Sequence, residues 1–168
     1  MRKNSSMDTN NISIYYRRAV EEDAEKIYRL YSSLSQEDIF NRFLHMKKIS
    51  LEEIKSYLRD PKCVVYVAEH NNEIIGEGVL YLSGEVAVVV HPSYRRRGIG
   101  KTLLKLLHEE AQKRRLKRMF FYTSPENTPV IRLASGVGCK FRYMDGLYMG
   151  LIEVCPTGSN ETEGKSSF

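Results

Sequence analysis

Cysteine is scarce in this chain of 168 residues, and the three present do not pair. Cys63, Cys139 and Cys155 form an odd set with no C-x-x-C spacing and no histidine partner. A disulfide framework or a zinc site is therefore not expected, and a reducing cytoplasm fits best. No apolar run approaches the ~20 residues that a bilayer crossing needs. Met1 to Asn11 is polar and lacks the apolar core of a secretory leader, so nothing indicates export. There is no internal repeat. Neither standard nucleotide fingerprint occurs: the chain has no G-x-G-x-x-G, and Gly100-Lys101-Thr102 is preceded by Arg95 where the glycine loop G-x-x-x-x-G-K-[ST] needs its first glycine. What is present is enough length for one domain with a sizeable core.

The charge is uneven. The net value is +5, yet His91 to Phe120 alone holds ten Lys/Arg against two Glu, so the rest of the chain is net acidic. A basic surface throughout would suggest nucleic acid, whereas one basic loop and helix suggests a localised anionic ligand. Lys113, Arg114, Arg115, Lys117 and Arg118 are read separately, as a solvated helix end favoured by the dipole.

Alternation of Ile12, Ile14 and Tyr16 predicts a strand, and Ile27, Leu30, Tyr31 and Leu34 a helix over 22–34. Ser35 to Asp38 and Ser50 to Glu53 are capping patterns that open two more helices, the second ending at Asp60-Pro61. Cys63–Ala68, Glu73–Leu82 and Glu85–His91 read as an antiparallel meander turned at Asn71-Asn72 and Ser83-Gly84. Met119–Tyr122 is spaced for a parallel return, a short helix runs to Leu133, and a hairpin closes across Asp145-Gly146. Residues 1–11 and 155–168 hold little to bury and are expected to be disordered, leaving one domain over 12–154.

The stretch Glu85 to Lys101 organises the rest. A β-branched strand runs into His91-Pro92-Ser93-Tyr94-Arg95-Arg96-Arg97-Gly98-Ile99-Gly100 and then an amphipathic helix marked by Ile99, Leu103, Leu106 and Leu107. A helix entered through glycines presents unpaired N–H groups and a positive dipole end, a seat for phosphate. The pattern Arg95-x-x-Gly98-x-Gly100, after a strand and before a helix, closely resembles the pyrophosphate loop of the GNAT superfamily of acetyl-CoA-dependent N-acetyltransferases. The element order β-α-α-(α)-β-β-β-α-β-α-β-β resembles that family over residues 12–154. The resemblance implies an α/β GNAT fold: a mixed, mostly antiparallel sheet of six to seven strands with helices on both faces. It implies acetyl-CoA as cosubstrate and no metal. Arg95, Arg96, Arg97, Gly98, Ile99, Gly100 and Lys101 would hold the diphosphate, with Val88, Val89 and Val90 along the pantetheine arm and Asn127 contacting the cofactor. An N–H near Val88 would polarise the thioester carbonyl. The segment Tyr31–Leu44, followed by Ile49–Ile54, resembles Pat-type protein lysine acetyltransferases, particularly the small archaeal members.

An amine attacks only as its free base, and a lysine of pKa about 10.4 is neutral in about one molecule in 2,500 at pH 7. A carboxylate or water chain near the amine would help. Two carboxylates qualify. Glu85 opens the central strand about 10 Å from Val88, and the resemblance favours it as base, although its register differs by about one residue from some members. Its bland alternative is a turn carboxylate facing solvent. Glu77 sits on an otherwise apolar face with Ile75, Val79 and Tyr81, flanked by Gly76 and Gly78; burial there would raise its pKa. Its alternative is a strand residue paired with an arginine. The chain departs from the family at Ala134, where many relatives have a tyrosine that protonates the leaving thiolate; Tyr143, Tyr148 or water remain as substitutes. No cysteine lies in an activating pattern, so direct transfer in a ternary complex is expected. His91 is read as structural.

The expected partners are acetyl-CoA and a protein bearing an acceptor lysine, a nucleic-acid-binding protein being one candidate. Neither membrane nor direct nucleic-acid binding is expected. A small amine, a polyamine, a protein N-terminus or a non-catalytic CoA-sensing role remain alternatives, and the oligomeric state is not legible.

Overall fold

The computed structural model describes residues 5–9 and 12–155. Its elements run β1 (Ser5–Thr9), β2 (Ile12–Arg18), α1 (Ala24–Ser32), α2 (Gln36–Phe43), α3 (Leu51–Arg59), β3 (Cys63–His70), β4 (Glu73–Tyr81), β5 (Val86–Val90), α4 (Ile99–Lys113), β6 (Arg118–Thr123), α5 (Thr128–Ser135), β7 (Lys140–Met144) and β8 (Leu147–Glu153). Single 3-10 turns precede α1, at Glu21–Asp23, and α4, at Pro92–Tyr94.

Local chemistry explains most boundaries. Ser35 Oγ accepts the Asp38 N–H at 3.0 Å while Asp38 Oδ2 accepts the Ser35 N–H at 3.0 Å. Ser50 and Glu53 repeat the exchange at the start of α3. Each pair satisfies two donors that a helix N-terminus leaves free. Asn71 and Asn72 take φ +50° and +65°, and Asp145 and Gly146 +50° and +85°, the left-handed pairs that two-residue hairpins require.

The strands form an antiparallel five-stranded sheet in the order β1-β2-β3-β4-β5 and a three-stranded one in the order β6-β8-β7. Ser5–Thr9 corrects one expectation: part of the segment read as disordered pairs with β2 and makes an eighth strand. The rest of that segment, and the tail from residue 156, lie outside the described residues. A parallel bridge between Glu85 and Phe120 joins the two sheets. The expected parallel return of β6 is thus realised at one point, and beyond it β5 and β6 form no ladder.

Helices cover both faces of the larger sheet. On one, α4 buries Ile99, Leu103 and Leu107 together with Met119, Phe121 and Ile152 from the second sheet. On the other, α1 and α3 bury Ile27, Leu30 and Ile54 against Val67, Val79 and Val89. Gly76 and Gly78 let α4 approach β4, since a Cβ on Gly76 would lie 2.9 Å from Ile99 Cγ2 and one on Gly78 3.2 Å from Leu107. A bulge at Ala68/Glu69 breaks the alternation expected for β4. Ile75 consequently joins the α4 core while Glu77 faces α1–α3.

Candidate active site

The site begins with the hydrogen-bond phase of β5. Tyr81 N–H donates to the Glu85 carbonyl at 2.9 Å, and His91 N–H donates to the Ile75 carbonyl at 2.8 Å. Bonded and non-bonded pairs alternate in an antiparallel ladder. With Val89 opposite Glu77 and Val88 opposite Gly78, the odd-numbered residues of β5 spend their backbone groups on β4. Val88 and Val90 therefore turn theirs toward the seam with β6, where no strand meets them. The Val90 carbonyl confirms the direction by accepting Arg95 Nε at 3.1 Å. Val89 differs from its neighbours: its amide and carbonyl face β4 and its side chain is buried against α1–α3.

At the end of this edge lies the basic loop. Gly98, at φ +81°, takes the N-cap position of α4 in the left-handed region, and the first backbone bond of the helix is Thr102 N–H to Gly98 O at 3.1 Å. The N–H groups of Ile99, Gly100 and Lys101 are therefore the orphan donors of this helix end. A Cβ on Gly98 would meet nothing within 4 Å, so the glycine serves backbone conformation beside an open space. Gly100 serves packing instead, a Cβ there lying 3.3 Å from Leu133 and 3.7 Å from Val88. Arg97 stacks over Tyr94, 5.6 Å from the ring centroid, and its Nη1 is buried without a hydrogen-bond partner. Unpaired amides, a dipole end and an orphaned guanidinium nitrogen fit a diphosphate. Arg96 is exposed and itself left-handed at φ +64°. Arg95 is already engaged, its Nη2 lying 3.1 Å from Asp38 Oδ2.

The two carboxylates occupy opposite environments. Glu85 is exposed at the bridge where β5 and β6 part, and no hydrogen bond to its carboxylate forms among the described residues. Glu77 is 1% exposed; Tyr31 OH donates to its Oε1 at 2.6 Å and Tyr57 OH to its Oε2 at 2.5 Å. Arg42 Nε in turn donates to Tyr31 Oη at 3.1 Å. Burial pushes the Glu77 carboxyl above its ordinary value, against the pull of the Arg42 charge and both phenols. Burial also raises Tyr31 and Tyr57. A cavity of about 380 Å³ adjoins this cage, with Arg42, Tyr57 and Tyr81 in its wall.

Asn127 caps α5, its Oδ1 accepting the Val130 N–H at 3.4 Å and its Nδ2 donating to Thr123 Oγ1 at 3.0 Å. Ala134 is buried. Tyr143 and Tyr148 face each other across the last hairpin with centroids 5.8 Å apart, Tyr143 being 64% exposed. Burial raises the Cys63 thiol to about 12 and the Cys139 thiol to about 11, the wrong direction for nucleophiles. Among the described residues, no group of three or more His, Cys, Asp or Glu is placed to hold a metal, and no helix is long and apolar enough to cross a membrane. Asp38, Arg42, Tyr31 and Tyr57 were not singled out as site residues from sequence; the one signal was an acidic residue amid apolar alternation at Glu77, which demands partners.

Comparison with solved structures places this architecture. The GNAT domain of S. lividans PAT superposes with a TM-score of 0.80 at 19% identity, covering 90% of this chain and 97% of its own. YncA of Salmonella typhimurium, described as a putative acetyltransferase and solved with acetyl-CoA, gives 0.72 at 18% identity, with 87% and 96% covered. The ribosomal-protein-alanine N-acetyltransferase of Brucella melitensis gives 0.70 at 21% identity, with 83% and 99% covered. Residues 21–138 match the Acetyltransferase (GNAT) family, and the chain thus belongs to that family of acetyl-CoA-dependent N-acetyltransferases.

Proposed function

We propose that this protein moves acetyl from acetyl-CoA to the side-chain amine of a protein lysine, by direct attack in a ternary complex in the cytoplasm. The observation that carries the reading is the free inner edge of β5, which leads from the orphan donors of α4 to the exposed Glu85. Acetyl-CoA supplies the activated acyl group when bound. The N–H groups of Ile99, Gly100 and Lys101, with Arg96 and Arg97, hold the diphosphate, and the Val88 and Val90 backbone groups align the arm. Glu85, open to solvent, takes the proton of the incoming ammonium directly or through water. Glu77, bonded by two phenols, holds helices rather than protons. The high thiol pKa of Cys63 and Cys139 supports transfer without an acyl-cysteine. A departing thiol of ordinary pKa about 8.5 needs little assistance from an acid, which accommodates Ala134. The Pat-like segment Tyr31–Leu44 and the similarity to S. lividans PAT support lysine as acceptor, and the unpaired cysteines support the compartment.

Incubation of cell-extract protein with labelled acetyl-CoA, followed by mass spectrometry, is expected to find label on lysine side chains. Label confined to N-terminal amines or small amines would overturn the acceptor. Glu85→Gln is expected to leave the acetyl-CoA Kd within about twofold while lowering turnover about a hundredfold, the lower range for a general base. Unchanged turnover would remove Glu85 from the chemistry.

A further inference from the structure

Arg95 heads the basic motif, yet its guanidinium is committed within the protein. Its Nε donates to the carbonyl of Val90, the last seam-facing group of β5, and its Nη2 reaches Asp38 Oδ2 on α2. That same oxygen accepts the Ser35 N–H in the capping box. One carboxylate oxygen thereby fastens the first turn of α2 to the loop between β5 and α4. Burial pushes the Asp38 carboxyl up, but the Ser35 amide and Arg95 outweigh it and hold it below its ordinary value. It remains charged across the neutral range.

The loop needs an external hold. Arg96, directly after Arg95, has φ +64°, and Gly98 has φ +81°. A non-glycine residue in the left-handed region is uncommon and persists where surrounding contacts over-determine it. Arg95 supplies such a contact on one side of Arg96. On the other, Thr102 closes the first turn of α4 on Gly98. The far end of α2 is held independently, because Arg42 bonds Tyr31, which bonds Glu77. The Asp38 contact is therefore a distinct link, running from this helix to the diphosphate loop.

We propose that Asp38 is a positioning residue: it holds Arg95 over the Val90 carbonyl, and so keeps the loop in the left-handed course that aims the α4 amides at the diphosphate. The proposal rests on the reading of that loop as the diphosphate seat. Loss of Asp38 frees Arg95, lets the loop relax and weakens the cofactor without touching the proton-transfer group. Asp38 itself makes no contact with the reacting atoms.

The capping role and the positioning role separate by choice of variant. Asp38→Gln keeps a capping-box acceptor at the third helical position but removes the charge that Arg95 faces. Asp38→Glu keeps both. Calorimetry with CoA is expected to show Asp38→Gln weakened about five- to tenfold, and Asp38→Glu within twofold of the parent. Steady-state rates should show the acetyl-CoA KM rising with kcat within twofold. Arg95→Gln and the double variant Asp38→Gln/Arg95→Gln should bind CoA equally weakly, because the two residues act as one unit. Should Asp38→Gln fail to fold, Arg95→Lys carries the test. It retains the positive charge without the planar fork that spans Val90 and Asp38, and is expected to weaken CoA at least threefold. Parent-like CoA binding by Asp38→Gln or Arg95→Lys, or additive effects in the double variant, would overturn the proposal. Failure of the parent protein to bind CoA would instead overturn the reading of the loop.

Discussion

The two faces of the five-stranded sheet solve the same packing problem with opposite materials. Where α4 crosses β4 the contact is apolar and close: Ile99, Leu103 and Leu107 sit on a strand whose glycines admit them. The one buried carboxylate of α4, Glu110, lies further along, accepting Tyr66 OH at 3.2 Å. The α1–α3 face encloses a carboxylate, two phenols and a guanidinium over Glu77. Apolar contact is non-directional and fixes distance, here how far α4, with its orphan amides, stands from β5. Hydrogen bonds are directional and fix orientation, here of three short helices contributing Tyr31, Arg42 and Tyr57. A family in which one ligand stays constant while acceptors vary would use rigid shape on one side and replaceable polar links on the other.

That contrast can be broken first at Glu77. Glu77→Gln removes the charged acceptor of two phenol hydrogen bonds and the negative charge that offsets Arg42. Hydrogen bonds to a charged group are worth about 1.5–3 kcal/mol each. Chemical denaturation should show that loss. Full stability with lost turnover would mean the cage serves chemistry and not architecture. A smaller effect is expected from the opposite face. Gly76→Val forces a side chain into Ile99, and overpacking costs about 1–3 kcal/mol. Its acetyl-CoA affinity, read by calorimetry, should also fall as α4 is displaced; stability lost with affinity intact would separate helix packing from the cradle.

The smallest effect sharpens the electrostatic side. Asp23 is buried, and its two oxygens accept from Arg17 Nη1 and Nη2 at 2.8 Å. Burial raises its pKa, but the Arg17 bonds, the Val20 amide and the Arg17 charge outweigh that and leave it lowered. A depressed folded pKa contributes stability above the unfolded value of about 3.9, lost as pH falls through the folded value. Denaturation midpoints between pH 5 and pH 2 should therefore fall less steeply in Asp23→Asn than in the parent. An identical slope would show that other carboxylates carry the acid response.

The sequence spelled out what depends on neighbours a few residues away. Ser35 and Ser50 announced their helices because capping is an exchange across three residues. The run from Val86 to α4 was readable because β-branching, paired glycines and helical periodicity follow one another directly. The direction of the Val88 and Val90 backbone groups was not readable, since it depends on which register β4 adopts. The Glu77 cage gathers positions 31, 42 and 57, and Arg95 meets Asp38 across more than fifty residues. Such meetings belong to tertiary packing, and no local pattern encodes them. Glu77 betrayed only half of its environment, an acid among apolar residues without the partners that neutralise it. Ser5–Thr9 went unread for a related reason: a polar five-residue strand owes its existence to the edge of β2 it pairs with.

The parting of β5 from β6 has an effect on folding itself. Val88 and the Val90 N–H lack the second inter-strand partner that interior strands have, the Val90 carbonyl alone being taken, by Arg95. Whatever fills the gap then acts as a missing strand, present only at the concentration the cell supplies. A hundredfold excess over Kd would add about 2.7 kcal/mol to the native state, so the melting temperature of this protein should report the abundance of its own substrate.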